Sequence, residues 1–365
     1  QNMIPFLDLH RQYQTIKSEI GPAIMDVIEH TAFSGGPFVE KFEENFANFC
    51  NTKFAIGLNT GTSALHLAME ALGIGPDDEV ILPANTFVAT AWGVSYVRAK
   101  PVFVDCDEYY NIDTKAVRNA ITQKTKAIIG VHLYGQPCDI DELLTICNEN
   151  NIYFVEDAAQ AHGALYKGKV IGGFGEMACF SFYPGKNLGA YGEGGGITTN
   201  NPNYKDKLFS LRSHGSKVRY YHDEIGYNMR MDGIQAAVLD IKLKHLASWN
   251  QRRNEIANRY FNEIGNHLVN LPKIREDVKS VFHLFVVTVE NRTDFMQYLA
   301  NNGVGTAQHY PVPCHLQKAY NFLNYKKGDF PNSEYLAEHC VSLPMFAELT
   351  DNEVDKVIEL INNYK

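Results

Sequence analysis

Seven short apolar runs between Ala55 and Asn200, most of them separated by stretches long enough for a helix, constrain the fold more than any other feature of this chain. They read AIGL, VILPA, PVFVDC, AIIGVHLYG, IYFVEDA, ACFSFY and GGITTN. A strand that stays apolar without alternating is buried on both faces, so the runs predict a mostly parallel sheet covered by helices. In such sheets ligands bind beyond the carboxyl ends of the strands, and the residues following each run become the candidates for chemistry. At 365 residues and 45% hydrophobic, the chain has enough material for a second domain. We expect a large domain over 1–240, N-terminal segment included, and a smaller α+β domain over 241–365, joined by a helical stretch from Asp232 to about Glu263.

The flanking segments read as helices. Ile16, Ile20, Ile24 and Ile28 recur every four residues, with Gly21-Pro22 expected to interrupt or restart that helix. Phe38, Phe42, Phe46 and Phe49 form an aromatic stripe that belongs to a core. After Pro202 a helix leads into a polar, aromatic loop, RSHGSKVRYYHDEIGYNMR, and the C-terminal part mixes strand-like VFHLFVVTV with helical DFMQYLANN and a last helix from Asp351.

The strand ends carry a specific set of side chains. Asn59-Thr60-Gly61-Thr62-Ser63 opens a helix with small residues, which leaves backbone N–H groups free for a phosphate; taken alone, the same residues are an ordinary N-cap. Phe87 follows the second run and is either plain core or a stacking surface for a flat heterocycle. Asp157 ends the fifth run, where a carboxylate demands a cationic partner or a structural ion pair, and Gln160 lies just beyond it. The sixth run brings Ser181 and then Lys186, in a turn followed by glycines that would let backbone pass close to a bound molecule. A free lysine amine near ~10.4 is a poor nucleophile unless its surroundings lower that value. A lysine for a Schiff base, an acid for a ring nitrogen and donors for a phosphate are together what pyridoxal phosphate (PLP) requires.

Composition narrows the partners. A net charge of -9 without a basic cluster argues against nucleic acid and leaves room for small anions. Seven scattered cysteines without a C-x-x-C pair read as reduced residues of a cytoplasmic protein, and no metal site is expected. The start QNMIPFLDLHRQY lacks the apolar core of a signal peptide, and no run approaches ~18 apolar residues, so no membrane role is expected.

From IPFLDL through NTGTSAL, EDAAQAHGA, SFYPGKNLGAYGEGGG and NMRMDGIQAA to QHYPVPCH, the chain resembles the sugar aminotransferases of the DegT/DnrJ/EryC1/StrS family. The resemblance implies the α/β architecture of PLP-dependent transferase fold type I, with a mostly parallel seven-stranded sheet in the large domain. It implies that Lys186 forms the Schiff base, that Asp157 pairs with the pyridine nitrogen, that Gln160 contacts the ring or its hydroxyl, and that Phe87 stacks on the ring. Gly61, Thr62 and Ser181 would hold the phosphate, and Asn228 would reach it from a second subunit, so a homodimer with shared sites is implied. Tyr183, His309 and Tyr310 would meet the substrate. Gly185 departs from the threonine or serine that many relatives carry before the lysine. Relatives that dehydrate sugars have histidine at the lysine position, so Lys186 favours transamination.

The implied reaction passes the amino group of L-glutamate, through the PLP and pyridoxamine phosphate (PMP) forms, to a nucleotide-linked keto-sugar. The run from Asn228 to Ala237 resembles members that aminate the third ring carbon, which points to a dTDP-linked 3-keto-6-deoxyhexose and a 3-amino sugar for glycan, antigen or S-layer biosynthesis. Arg219, Tyr220 and Tyr221 are offered to the diphosphate, unless their loop is only a surface turn. A 4-keto-sugar, a UDP-linked sugar and an aminocyclitol precursor stand as alternatives, as does a non-catalytic regulatory protein of the same fold. A desulfurase would need a mobile cysteine, for which Cys314 is the candidate.

Overall fold

The computed structural model describes residues 3–365. Each of the seven apolar runs is a strand of one sheet, in spatial order Phe54–Leu58, Gly195–Thr199, Met177–Ser181, Tyr153–Asp157, Thr125–Val131, Glu79–Pro83 and Lys100–Val104. The neighbours from Met177–Ser181 to Lys100–Val104 pair in parallel, and only Gly195–Thr199 runs antiparallel to both its partners. Helices cover both faces, which is why the strands read as continuous apolar runs: Val80, Leu82, Ala127 and Ile129 pack to one side, and Ile81, Ile128, Phe154 and Ala178 to the other.

The N-terminal helix Leu9–Glu29 runs through Pro22 without a break, against the expected interruption. Gly21 and Pro22 lie on the exposed side, where water can serve the carbonyl that loses its intrahelical donor, while Ile16 and Ile20 are buried against Val238 of the long helix. The isoleucine stripe also drifts. A step of four residues overshoots a full turn by about 40°, so Val27 is buried and Ile28 is 40% exposed. The phenylalanine helix, Pro37–Phe49, does pack as core, with Phe46 edge-on to Phe180 at 4.9 Å and Phe42 edge-on to Phe182 at 5.4 Å. These contacts brace the strand that leads into Lys186.

The helix Gly233–Glu263 links the sheet to a second core, built on the antiparallel strands Val269–Asn270, Phe285–Val289 and Cys340–Leu343 with the helices Arg292–Asn301 and Asp351–Asn363. That core is closed by residues such as Tyr260, Phe285, Phe295, Val357 and Ile361. Ile4 joins it, its N–H donating to Gly303 O at 2.7 Å and its carbonyl accepting from Gly305 N at 2.9 Å. We propose the division near residue 240; the long helix crosses it unbroken, and Leu284, Val286, Cys314, Tyr320 and Cys340 from beyond it pack into the core of the sheet. The aromatic loop after Arg212 contains a short antiparallel ladder, Ser216–Val218 with Tyr221–His222. No helix among the described residues is long and apolar enough to cross a membrane, and all seven cysteines are free and buried.

Candidate active site

The parallel strands point their carboxyl ends into a cavity of about 730 Å³ that also touches the second core. This is a size that takes a small-molecule ligand or cofactor. Gly61, Thr62, Phe87, Asp157, Gln160, Ser181, Tyr183, Lys186, His309 and Tyr310 all line its wall. Asn228, Arg219 and Tyr221 are not in its lining. Asn228 is exposed in a bridge with Ser213, and Tyr220 and Tyr221 are 78% and 71% exposed on the hairpin. One chain by itself does not bring these to the cavity, so a diphosphate role within a single subunit is not supported by the geometry.

The helix Gly61–Ala71 starts against the strand Met177–Ser181. Thr60 caps it by accepting from Ser63 N at 2.9 Å, and the N–H groups of Gly61 and Thr62 have no partner among the described residues. Gly61 is required by packing: a Cβ there would fall 2.7 Å from Ser181 Cβ. Gly195 serves the same approach from the other side, its missing side chain leaving room for the Thr60 carbonyl carbon at 2.2 Å. The helix dipole and two free N–H groups thus converge beside the Ser181 hydroxyl, an anion site in physical terms.

The glycines that follow Lys186 differ from their expected role. A Cβ on Gly189 would fall 2.2 Å from Pro184 O, one on Gly194 would press on Phe182, and one on Gly196 on Ile56 and Phe182. These glycines let protein pack on protein rather than backbone on a ligand, and of the segment 188–196 only Glu193 lines the cavity. Gly185 does line it, and a Cβ there would stand 3.3 Å from Leu7.

Asp157 is buried. Its Oδ2 accepts from Thr90 Oγ1 at 2.7 Å and its Oδ1 from Ala159 N at 3.2 Å. Burial raises its pKa from the ordinary carboxylate value, opposed by these donors and by the charge of Lys186. Burial lowers Lys186 to about 8, against the pull of Asp157. Gln160 is committed at both ends, accepting from Tyr134 N at 2.7 Å and donating to Tyr310 Oη at 3.0 Å. Phe87 stays 50% exposed, facing Tyr310 across 5.7 Å. His309 stacks on Phe6 at 5.7 Å, bonds Ser342 Oγ at 2.7 Å, and is pushed down to about 4 by burial and then by Lys186. Cys314 lies outside the cavity lining with its thiol 3.3 Å from Thr86 O, and burial pushes it up to about 12. An inert, buried thiol removes the sequence basis for a desulfurase.

These residues fit PLP. Free N–H groups await a phosphate, a half-exposed ring awaits a stacking partner, and a desolvated carboxylate has lone pairs left for a protonated ring nitrogen. Sequence reasoning missed Thr90, Phe6, Leu7 and His283, all of which line the cavity. For Thr90 a signal was present, its i, i+4 spacing from Thr86, which lies in the turn before the helix Ala89–Tyr96; their hydroxyls are 2.7 Å apart.

Comparison with known proteins gives the class first. The DegT/DnrJ/EryC1/StrS aminotransferase family model matches residues 14–362, and the chain belongs to that family. It is 45% identical over 99% of both chains to dTDP-3-amino-3,6-dideoxy-alpha-D-galactopyranose transaminase of Aneurinibacillus thermoaerophilus. It is 42% identical to a pleiotropic regulatory protein of Geobacillus stearothermophilus, covering 99% of this chain and 98% of that one. It is 38% identical to UDP-2-acetamido-2-deoxy-3-oxo-D-glucuronate aminotransferase of Pseudomonas aeruginosa, covering 99% and 100%. The crystal structure of DesV of Streptomyces venezuelae with a ketimine intermediate superposes with a TM-score of 0.97 at 42% identity, over 99% of this chain and 98% of that one. NtdA of Bacillus subtilis with bound cofactor PMP matches with a TM-score of 0.92 at 31% identity, over 99% and 85%. The chain is a PLP-dependent aminotransferase of fold type I.

Proposed function

We propose that this aminotransferase moves the amino group of L-glutamate to the third ring carbon of a nucleotide-linked keto-sugar, with a dTDP-linked 3-keto-6-deoxyhexose as the substrate. The observation that carries the reading is the pairing of Lys186 and Asp157 across one cavity, each with its pKa displaced by burial. The third carbon is supported by the names of both transaminase relatives, one a 3-amino and one a 3-oxo sugar; the dTDP carrier is supported by the relative with the higher identity. The UDP-linked relative favours a UDP-sugar as the second reading.

PLP, when bound, supplies the electron sink that lets the carbon bearing the amine lose a proton. The chain supplies the rest. The N–H groups of Gly61 and Thr62 and the Ser181 hydroxyl would hold its phosphate, Asp157 would hold a proton on its ring nitrogen, and Phe87 would stack on the ring. Lys186 Nζ, lowered to about 8 because burial disfavours its ammonium, takes the proton from the substrate carbon and returns it on the other side of the transfer. In the first half a water supplies the keto oxygen and glutamate leaves as 2-oxoglutarate; in the second the oxygen of the keto-sugar carbonyl leaves as water. Asn228 and the hairpin residues Arg219 and Tyr221 act from a second copy of the chain, which makes the working unit a homodimer.

Incubating the PLP-loaded protein with glutamate alone tests the first half: visible absorbance shifts to the PMP form and 2-oxoglutarate appears. A regulatory protein without turnover gives neither. Mass spectrometry of products from dTDP- and UDP-linked 3- and 4-keto-sugars tests the second half, and amination of no sugar by a glutamate-competent protein rejects the substrate.

A further inference from the structure

His283 enters the cavity from the second core, next to the strand Phe285–Val289. Its protonation pattern is fixed by a chain of amides. Asn187 Nδ2 donates to Val281 O at 3.0 Å, and a carbonyl can only accept, so the orientation of the Asn187 amide is settled. The same Nδ2 donates to Asn250 Oδ1 at 2.9 Å, and Asn250 is itself set by donating from Nδ2 to His162 O at 2.8 Å. Asn187 Oδ1 therefore faces outward and needs a donor, and the group beside it, at 3.3 Å, is His283 Nδ1. The imidazole proton sits on Nδ1, leaving Nε2 a bare acceptor with no protein partner among the described residues. A second proton is opposed by burial first, then by the charges of Lys186 and Arg253, so the ring stays neutral.

We propose that His283 is a specificity-determining residue whose unprotonated Nε2 accepts a hydrogen bond from a hydroxyl of the sugar in the cavity. The inference rests on the keto-sugar reading and deepens it. The helix N–H groups, Lys186 and the Tyr310 hydroxyl, whose oxygen already accepts from Gln160, are donors on the same wall; its acceptors include the carboxylates Asp157 and Glu193 and the His309 ring, and His283 adds an uncharged one on the side of the second core. A carboxylate gains nothing from a bare nitrogen lone pair, glutamate has no hydroxyl to give, and its amino group, its one donor, is taken up in the transfer itself. The acceptor therefore serves the sugar half of the reaction and not the amino-acid half.

Both half-reactions can be followed by absorbance on the PLP-loaded protein, one with glutamate and one with dTDP-3-amino-3,6-dideoxyhexose run in reverse. In His283→Leu the loss of kcat/KM on the amino sugar should be about 10- to 100-fold, and at least about tenfold greater than the loss on glutamate. His283→Gln, which returns an acceptor oxygen, should recover part of it. Equal losses on the two substrates, or no loss on the sugar, overturn the proposal. The tautomer is read separately by nitrogen-15 correlation spectra of histidine-labelled protein, in which the signal absent from His283→Leu should carry its proton on Nδ1. A proton on Nε2 overturns the proposal whatever the kinetics show. A wild type that converts with glutamate and with no amino sugar instead overturns the functional reading, leaving the tautomer result standing on its own.

Discussion

Glu156 and Asp157 are adjacent, both carboxylates and both buried, yet the strand sends them to opposite faces of the sheet and the two faces treat them differently. Glu156 is saturated. Its Oε1 accepts from His132 Nε2 at 3.0 Å and Gly172 N at 3.2 Å, and its Oε2 from Phe174 N at 3.0 Å and Gly175 N at 3.4 Å. Cys138 N–H donates to His132 Nδ1 at 3.1 Å, which sets the proton on Nε2 where Glu156 receives it. Asp157 accepts only from Thr90 and Ala159, and opens on the cavity. A charge whose partners all come from the protein holds a loop in place. A charge left short of partners is held for something that arrives later, and the chain carries its desolvation until then.

That contrast can be broken in several ways. The largest effect is expected from Lys186→Ala, which should reduce turnover more than about a thousandfold and abolish the visible absorbance of the loaded protein, with thermal unfolding of the cofactor-free protein little changed. Asp157→Asn should cost turnover on a similar scale, about a thousandfold, while leaving the cofactor-free protein as stable as before or up to about 2 kcal/mol more so, because a desolvated charge is gone. Glu156→Gln should do the reverse. It turns an amide N–H donor toward N–H groups that already point at that position, and denaturant unfolding should show a loss of about 3 kcal/mol with turnover per folded molecule nearly kept. If Asp157→Asn destabilises as much as Glu156→Gln, the two carboxylates do not differ in kind.

Smaller effects sharpen the picture. Thr90→Val removes the closest donor to Asp157, so its carboxyl rises further and PLP affinity should fall by about tenfold in equilibrium titration. The rate at which the cofactor-free protein captures PLP should rise with pH through about 8, since burial disfavours the Lys186 ammonium and the neutral amine is the nucleophile above that value. A rise that begins only near the ordinary lysine value, about 10.4, would show that the turn does not desolvate the amine.

Much of the sheet and the chemical centre of the site were legible because each is written locally. A strand buried on both faces must be apolar along its whole length, and the residue ending it must sit at the sheet edge, so AIGL to GGITTN located Gly61, Asp157, Ser181 and Lys186 without tertiary information. His283 was not legible, and Thr90 only through its spacing from Thr86, which did not reveal its role. Their roles depend on partners 67 and 96 residues away, Asp157 for Thr90 and Asn187 for His283, and no local pattern encodes such a distance. The glycines after Lys186 were legible as glycines and misread in purpose, because what a missing Cβ makes room for is decided by the element that arrives there, here Thr60, Pro184 and Phe182. Pro22 was misread for a similar reason: a proline on the solvent side of a helix costs one hydrogen bond that water can replace, and the burial of Ile16, Ile20 and Val27 holds the helix together.

The sequence by itself determined the order of strands along the chain, the doubly covered sheet and the residue types at its edge, because backbone periodicity and burial act over a few neighbours. Only the tertiary structure decided that Asp157 rather than Glu156 faces the cavity, that the turn of Lys186 is tied by Asn187 to the long helix, and that His283 presents a bare nitrogen. Alternation along a strand separates two neighbours onto two faces, but which face holds the site depends on which helices and loops close over each, and those come from distant parts of the chain.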